Sequence, residues 1–411
     1  MEYMPNQIFE LFGHRLDDRS VEAEADRKAA RCPFMDGPCD GGGNRHQTTI
    51  QLSSRGDTDA LRTYFDVGSV PDKIVPGICS IHSENETWIV CPRRLFGFRF
   101  DGHAILPHEL SAIQGMNLPR GIELGIWAEV TLNWTQTQEE AVLDQDENIE
   151  IGEDDGKDGG GAFEYHFDYV IAPLYSTLAS DLFVQTGIKV NDIRKLVKSP
   201  KSRRTVPPKP RGRKAIDDFI ISQIPDLKTF AIIEVMTAST SGSNKDKGTT
   251  ISQVFEKAIL GQSHESPGIN KRQVWGRMAT QLFAKSAAAE AWGGKTYWLL
   301  QDQFLSEIER STQASIVRID NASKRDHAED IVQDAINLAI FEINRATGAT
   351  VYKKLISGYS GINYRDQNNT FIGILLPNLI PPRVELLRAL LRKAPVATIT
   401  IPELELEVAA L

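Results

Sequence analysis

Apolar and polar residues alternate along two stretches of the chain, which predicts two half-buried β-strands. In ELGIWAEVTLNW (residues 123–134) one face carries Ile, Ala, Val, Leu and Trp, and Glu129 lies on the polar face. In AFEYHFDYVIAPL (162–174) aromatic residues form one face and Asp168 lies on the other. The stretch between them is acidic and rich in glycine. We therefore expect an antiparallel hairpin with a long connection.

A third segment, TFAIIEVMTA (229–238), is apolar on both faces, as in a central strand that is covered on both sides. Glu234 lies in its middle. An apolar stripe then predicts a helix over residues 270–292, which the Gly293-Gly294 pair would end. TYWLLQD (296–302) follows as another strand. The expected order is three strands, a helix and a strand, within an α/β fold.

The last hundred residues also read as α/β packing elements. We expect an amphipathic helix over 327–348 and a strand at FIGILLP (371–377). A second helix, PPRVELLRALLRK (381–393), has proline at its start and a leucine stripe that is typical of a core. ATITIPE (397–403) reads as a final strand.

Length and composition indicate a globular protein of two parts. The chain has 411 residues, of which 41% are apolar and 25% charged. We expect an N-terminal module over 1–105 and a larger domain over 106–411. No uncharged apolar run approaches the roughly 20 residues of a bilayer span, and the start lacks the pattern of a secretory signal. We therefore expect a cytoplasmic protein without a membrane partner.

Charge is distributed unevenly along the chain. Residues 139–158 hold ten acidic residues and one lysine, against a net charge of -9 for the whole chain. Such an insertion is typical of a solvated loop. Residues 194–214 hold ten Lys or Arg and no acidic residue. This second insertion could neutralise DNA phosphates or serve as a flexible linker, and its lack of aromatic residues argues against stacking on single strands.

All four cysteines lie near the N-terminus, at Cys32, Cys39, Cys79 and Cys91. Neighbouring Gly and Pro residues permit the tight turns that direct thiolates to one point. A cytosolic protein keeps thiols reduced, which favours a tetrahedral metal over two disulfides. The spacing lacks a short C-x2-C knuckle, so buried free cysteines and disulfides stay open. Four thiolates suit iron or zinc and leave no open position, so the metal would be structural.

Each of the three predicted strands carries a carboxylate, at Glu129, Asp168 and Glu234. Burial of an ionised carboxylate is costly unless a cation compensates it. A hard divalent ion such as Mg²⁺ binds through one or two carboxylates together with water and phosphate oxygens. Salt bridges or solvent at a strand end would also explain these residues. The order Asp then Glu on adjacent strands is the arrangement of the PD-(D/E)xK nucleases.

Several blocks, in order, resemble the NotI family of type II restriction endonucleases. LFGHRL (11–16), CPF at Cys32, GIC at Cys79 and WIVCPRRL at Cys91 resemble its four-cysteine, iron-type metal module. FEYHFDYVIAPL and FAIIEVMTA resemble its two catalytic strands, and Gln281 and Lys285 in the following helix also fit. The resemblance covers roughly half of the chain.

This resemblance implies a PD-(D/E)xK mixed sheet flanked by helices, with a small four-cysteine N-terminal module. Asp168, Glu234 and the backbone carbonyl of Val235 would hold catalytic Mg²⁺, Glu129 would be a further metal or water ligand, and Gln281 would be catalytic. The expected activity is Mg²⁺-dependent cleavage of double-stranded DNA at a GC-rich palindromic site. A palindrome implies a homodimer.

One departure bears on activity. Family members have glutamine two residues after the glutamate, where other nucleases of this fold have lysine, and Met236 stands there in this chain. A thioether cannot position water as an amide or an ammonium can. Lys245, Lys247 or Gln281 would have to supply that function. The alternatives are a catalytically silent DNA-binding metalloprotein and, from another class, a metal-stapled protein-interaction module.

Overall fold

The computed structural model describes residues 6–42, 49–51, 58–65, 73–83, 85–100, 102–134, 163–208, 218–245, 248–313, 336–344, 347–358 and 380–403. Over these ranges the protein is a mixed α/β structure, which confirms the predicted α/β class. The acidic insertion at 139–158 and residues 209–214 of the basic insertion lie outside them. None of the described helices has the length and apolar character needed to cross a membrane.

Twenty strands and nine helices lie within the described ranges, numbered here in chain order. The strands are β1 (Gln7–Leu11), β2 (His14–Arg15), β3 (Arg31–Cys32), β4 (Gly37–Pro38), β5 (Ile50–Gln51), β6 (Lys73–Ile74), β7 (Ile78–Ser83), β8 (Glu86–Ile89), β9 (Glu123–Trp134), β10 (Phe163–Leu178), β11 (Ile220–Pro225), β12 (Ala231–Met236), β13 (Ser239–Thr240), β14 (Ser243–Asn244), β15 (Thr249–Thr250), β16 (Ile269–Asn270), β17 (Lys295–Gln301), β18 (Ile336–Ile343), β19 (Thr350–Gly358) and β20 (Ala397–Thr400). The helices are α1 (Val21–Ala29), α2 (Thr58–Phe65), α3 (Pro107–Gly115), α4 (Ala179–Thr186), α5 (Val190–Val197), α6 (Ile251–Ile259), α7 (Arg272–Ala291), α8 (Asp302–Thr312) and α9 (Arg383–Leu391).

A large mixed sheet organises the molecule. Seven of its strands run in the order β19-β18-β17-β12-β10-β9-β20, and β11 pairs with β10. The β12–β17 and β17–β18 pairs are parallel, whereas the β9–β10, β10–β12, β18–β19 and β9–β20 pairs are antiparallel. All six residues of β12 are buried. This confirms the prediction of a central strand covered on both sides.

The predicted hairpin of β9 and β10 is present, and its pairing is irregular at the carboxylates. Phe167 lies opposite Val130 and Tyr169 opposite Ala128, which places Asp168 opposite Glu129. Glu129 has a φ of 50°, a left-handed conformation that is unusual for a residue other than glycine. Pairing of β10 with β12 covers Tyr169 to Ile171 and stops before Asp168. The strands therefore open where the acidic residues lie.

Helix α7 confirms the helix predicted over 270–292. It connects the parallel strands β12 and β17 and packs against the sheet through Ala288 and Ala289, which are fully buried. The chain then turns at Gly293 with a φ of 86°, a conformation that glycine adopts without strain. Trp292 anchors this end by donating its indole N–H to the carbonyl of Pro381 at 2.6 Å. The crossover fixes α7 across β12.

The helix predicted over 327–348 is wrong where the structure describes it, because residues 336–343 form β18. The run INLAIFEI is buried on both faces between β17 and β19. A short apolar run of this kind has no periodicity that separates a helix from a buried strand. FIGILLP lies outside the described residues. α9 and β20 confirm the last two predicted elements, and the leucine stripe of α9 is buried in the core.

The N-terminal segment packs directly on the larger sheet. Its own antiparallel sheet has the order β2-β1-β7-β8. Ile8, Leu11 and Phe12 of this segment share one apolar cluster with residues of α6, α8 and β17. A buried ion pair joins Arg94 to Glu10 at 2.9 Å, and Arg94 also donates to the carbonyl of Gly348. The N-terminal residues therefore complete the core rather than form a detached unit.

Candidate functional site

Asp168 and Glu234 face each other where β10 and β12 separate. The Asp168 carboxylate accepts a hydrogen bond from the backbone N–H of Val235 at 2.8 Å, so it binds an amide of the neighbouring strand. Asp168 is half-buried. The negative charge of Asp168 is also one of the causes that raise the pKa of Glu234. The two carboxylates that the sequence singled out are thus brought together.

Glu234 is buried, with 2% of its surface exposed. Its Oε2 accepts a hydrogen bond from Lys285 Nζ at 2.5 Å, and its Oε1 has no hydrogen-bond partner in the described part of the chain. Burial and the charge of Asp168 raise the pKa of Glu234 to about 8, although the ammonium of Lys285 acts in the opposite direction. A buried carboxylate oxygen without a partner, next to a second carboxylate, fits a divalent cation.

Lys285 fits the family that the sequence resembles, as Gln281 does, but of these two residues a catalytic role is predicted for Gln281 alone. Lys285 lies on α7, is itself buried, and places its Nζ 5.8 Å from the ring centre of Phe167 as well as on Glu234. A lysine is seldom buried without a partner, and this one precedes a run of small residues, Ser286 to Ala289, that the helix packs against the core. A lysine on the buried side of the predicted helix was therefore the sequence signal that could have identified Lys285 as a site residue.

The residues that the sequence proposed to position water in place of Met236 lie away from the carboxylate pair where the structure describes them. Met236 is buried in an apolar cluster with Val274 and Met278. Gln281, one helical turn before Lys285, is exposed, and Lys245 is exposed on a loop. Lys247 lies outside the described residues. Lys285 therefore brings a cationic nitrogen to the carboxylate pair from a helix, although the strand carries methionine.

Glu129 is held by two arginines. Arg99 and Arg93 contact its Oε1 at 2.6 and 3.1 Å. The side chain of Glu129 remains 40% exposed. Of the explanations that the sequence left open for Glu129, the structure shows the salt bridge.

Arg93 connects the cysteine-bearing segments to the strand of Asp168. It lies two residues after Cys91, is buried, and donates to Asp40 Oδ2 at 2.9 Å. It also donates to the hydroxyl of Tyr169 at 3.0 Å. Asp40 follows Cys39, and Tyr169 follows Asp168. One guanidinium group therefore fixes two cysteine-bearing loops against β10.

The four cysteines are free thiols, and three of them are buried. Backbone N–H groups are directed at the sulfurs: Gly13 N lies 3.2 Å from Cys79 Sγ, and backbone amides also donate to the other three thiols. Cys79 and Cys91 hydrogen-bond to each other, which raises the pKa of Cys79 and lowers that of Cys91. Cys91 in turn helps to raise the pKa of both Cys32 and Cys39. The four thiols thus influence one another.

No group of three or more His, Cys, Asp or Glu side chains in the described ranges is arranged closely enough to hold a metal ion. Four thiols are a donor set that soft and borderline metals prefer, and their mutual effects on pKa indicate that they lie in one part of the fold. The four-cysteine metal site stays a prediction.

Comparison with known proteins provides no family for this chain. No family model matches it, and no curated protein matches it. The site geometry therefore carries the functional argument.

Proposed function

We propose that the protein is a Mg²⁺-dependent endonuclease with a PD-(D/E)xK core that hydrolyses phosphodiester bonds of double-stranded DNA, like the type II restriction enzymes that its sequence resembles. The observation that carries the proposal is the buried Glu234 carboxylate, which lies between Asp168 and Lys285 and has one oxygen without a partner. Most carboxylates that serve only the fold are exposed or fully paired.

Asp168, Glu234 and the carbonyl of Val235 would hold the cation. Bound Mg²⁺ supplies a Lewis acid that activates water and stabilises the leaving oxygen of a phosphodiester. Glu234 holds a proton at neutral pH in the metal-free protein, since burial raises its pKa to about 8, and it must release that proton to act as a ligand. Asp168 is kept in place by the N–H of Val235.

In this proposal Lys285 takes the role that Met236 cannot perform. Its ammonium is within hydrogen-bond distance of Glu234, so it lies beside the atoms that would react. It can donate hydrogen bonds to the attacking water or to a phosphate oxygen, as the lysine of other nucleases of this fold does from the strand. The silent DNA-binding alternative rests on the absence of a third residue, and we propose Lys285 for that role.

Two further features belong to the proposal. A two-fold homodimer would cut both strands of a GC-rich palindrome. One iron or zinc ion at Cys32, Cys39, Cys79 and Cys91 would have a structural role, because it would fix the loops that carry Asp40 and Arg93.

The test is cleavage of genomic DNA by purified protein with Mg²⁺. We expect discrete fragments whose sequenced ends reveal one recognition site, and no fragments with EDTA or with Glu234→Gln. Lys285→Met and Gln281→Ala form a matched pair one turn apart on α7. We expect the first to lose cleavage by at least about 100-fold and the second to lose far less. Equal losses would refute the assignment of Lys285, and intact DNA with the wild-type protein would favour the silent alternative.

A further inference from the structure

Part of the basic insertion is built into a rigid face next to the candidate site. Arg204 donates to the carbonyls of Leu391 and Gln223, both at 2.8 Å. The backbone N–H of Ala394 donates to the carbonyl of Lys201 at 2.8 Å. These bonds join the segment after α5 to the C-terminal end of α9. The segment is therefore ordered by the fold, not a free linker.

The arginines and lysines of this segment divide into two groups. Arg194 is buried, donates to the carbonyl of Pro207 and stacks 4.2 Å from the ring centre of Phe219. Arg204 is half-buried among backbone carbonyls, and burial lowers its pKa to about 10. These two support the fold. The other lysines and arginines in the described part of the segment are exposed.

The exposed group is here named the cationic face. Lys195 is paired with Asp192 at 3.1 Å, and its side chain is still 80% exposed. Lys195, Leu196, Arg388 and Arg392 line a shallow cleft between α5 and α9. The face consists of six side chains, five of them exposed and the sixth half-buried: Lys195, Lys198, Lys201, Arg203, Arg392 and Lys393.

The cationic face reaches the carboxylate site at Lys393. Lys393 Nζ donates to the backbone carbonyl of Glu129, and Glu129 lies opposite Asp168 on the neighbouring strand. Burial and the positive charge of Lys201 lower the pKa of Lys393, the carboxylate of Glu129 acts in the opposite direction, and Arg99 lowers the pKa further. The exposed positive charges of the face outnumber the acidic groups beside them, so the face attracts an anion. The arrangement fits a polyanion that extends from the site across the face.

We propose that the cationic face binds the sugar–phosphate backbone of duplex DNA on one side of the phosphodiester to be cut. Lys201 and Lys393 would lie closest to that bond, and Lys195 and Lys198 farther along the strand. The face consists of lysine and arginine side chains only, so it offers charge for a duplex backbone and no aromatic rings on which the bases of a single strand could stack. This inference rests on the proposed function and specifies how the substrate lies on the protein.

The test measures binding separately from cleavage. The parent is the Glu234→Gln protein, mixed in EDTA with a fluorescent duplex of random sequence, and affinity is followed by anisotropy between 50 and 300 mM salt. The variant adds Lys198→Gln, Lys201→Gln and Arg392→Gln. A matched control removes the same charge outside the face, with Lys28→Gln, Lys257→Gln and Arg310→Gln. All six positions are exposed, so both proteins should fold.

We expect the face variant to bind about 100-fold more weakly near 0.15 M salt, because each lost phosphate contact costs about fivefold there and lowers the salt slope by about 1. The control should bind as the parent does. If variant and control bind alike, the cationic face is not the docking surface. Tighter binding of a single strand of equal length would also overturn the proposal. If the parent binds no duplex at any salt concentration, the proposed function itself fails.

Discussion

Glu234→Gln should abolish cleavage and should also remove a loss of stability with rising pH in the metal-free protein. The native carboxyl has its pKa raised from an ordinary value of 4.5 to about 8. Between these values the folded protein keeps a proton that the unfolded chain has lost. Stability then falls as pH rises, because the folded state binds more protons than the unfolded state. Glutamine is neutral in both states and removes this pH dependence.

The size of the effect follows from the raised pKa. Each pH unit within the window corresponds to about 1.4 kcal/mol, so the wild type should lose about 3 kcal/mol relative to Glu234→Gln between pH 5 and pH 7. A constant difference between a carboxyl and an amide cancels in this comparison. The pH dependence of the free energy of unfolding therefore tests the raised pKa more directly than its value at a single pH.

Urea unfolding in EDTA at pH 5, 6, 7 and 8 measures both proteins. Glu22→Gln provides the control, because Glu22 is exposed on α1 and its replacement should leave the pH dependence as in the wild type. A Glu234→Gln protein with the same pH slope as the wild type would refute the assignment of a buried, proton-retaining carboxyl. The difference in pH slope between the two proteins should vanish below about pH 4.5, where the folded and unfolded states both carry the proton.

Two predictions concern the cysteine-bearing segments. Arg93→Met keeps the aliphatic volume but removes the guanidinium that joins Asp40, Glu129 and Tyr169. It should cost about 2–4 kcal/mol in urea unfolding, and a loss under about 0.5 kcal/mol would contradict the bridging role. Protein purified without chelators should contain about one equivalent of iron or zinc, which Cys91→Ser should reduce. Elemental analysis with well under one equivalent in the wild type would count against the metal site.

The elements of the candidate site were predictable because their patterns are local. Alternation identified β9 and β10, and the two-sided apolar run identified β12. The third site residue was harder to find, because Lys285 reaches Glu234 across 51 positions of sequence. Only the packing of α7 across β12 shows that contact. Spacing within a strand directs attention to Met236 and nearby lysines instead.

Sequence patterns also failed for elements whose environment is set by neighbours in space. β18 was predicted as part of a helix, since an apolar run that is buried on both faces lacks periodicity. The contact of Arg93 with Asp40, Glu129 and Tyr169 joins segments far apart in sequence, and no local motif announces it. Whether a cation of the described part of the basic insertion supports the fold, as Arg204 does, or is exposed, as Lys201 is, likewise depends on the packing of this segment against α9.

The most direct test of the account is whether Mg²⁺ stabilises the folded protein through Glu234. Ligand binding to the native state raises stability by RT ln(1 + [L]/Kd), so thermal unfolding of the wild type should shift upward with 10 mM Mg²⁺, and more at pH 8 than at pH 6 because a proton must leave. Glu234→Gln should show no Mg²⁺-dependent shift at either pH. An equal shift in the wild type and in Glu234→Gln would contradict the central claim.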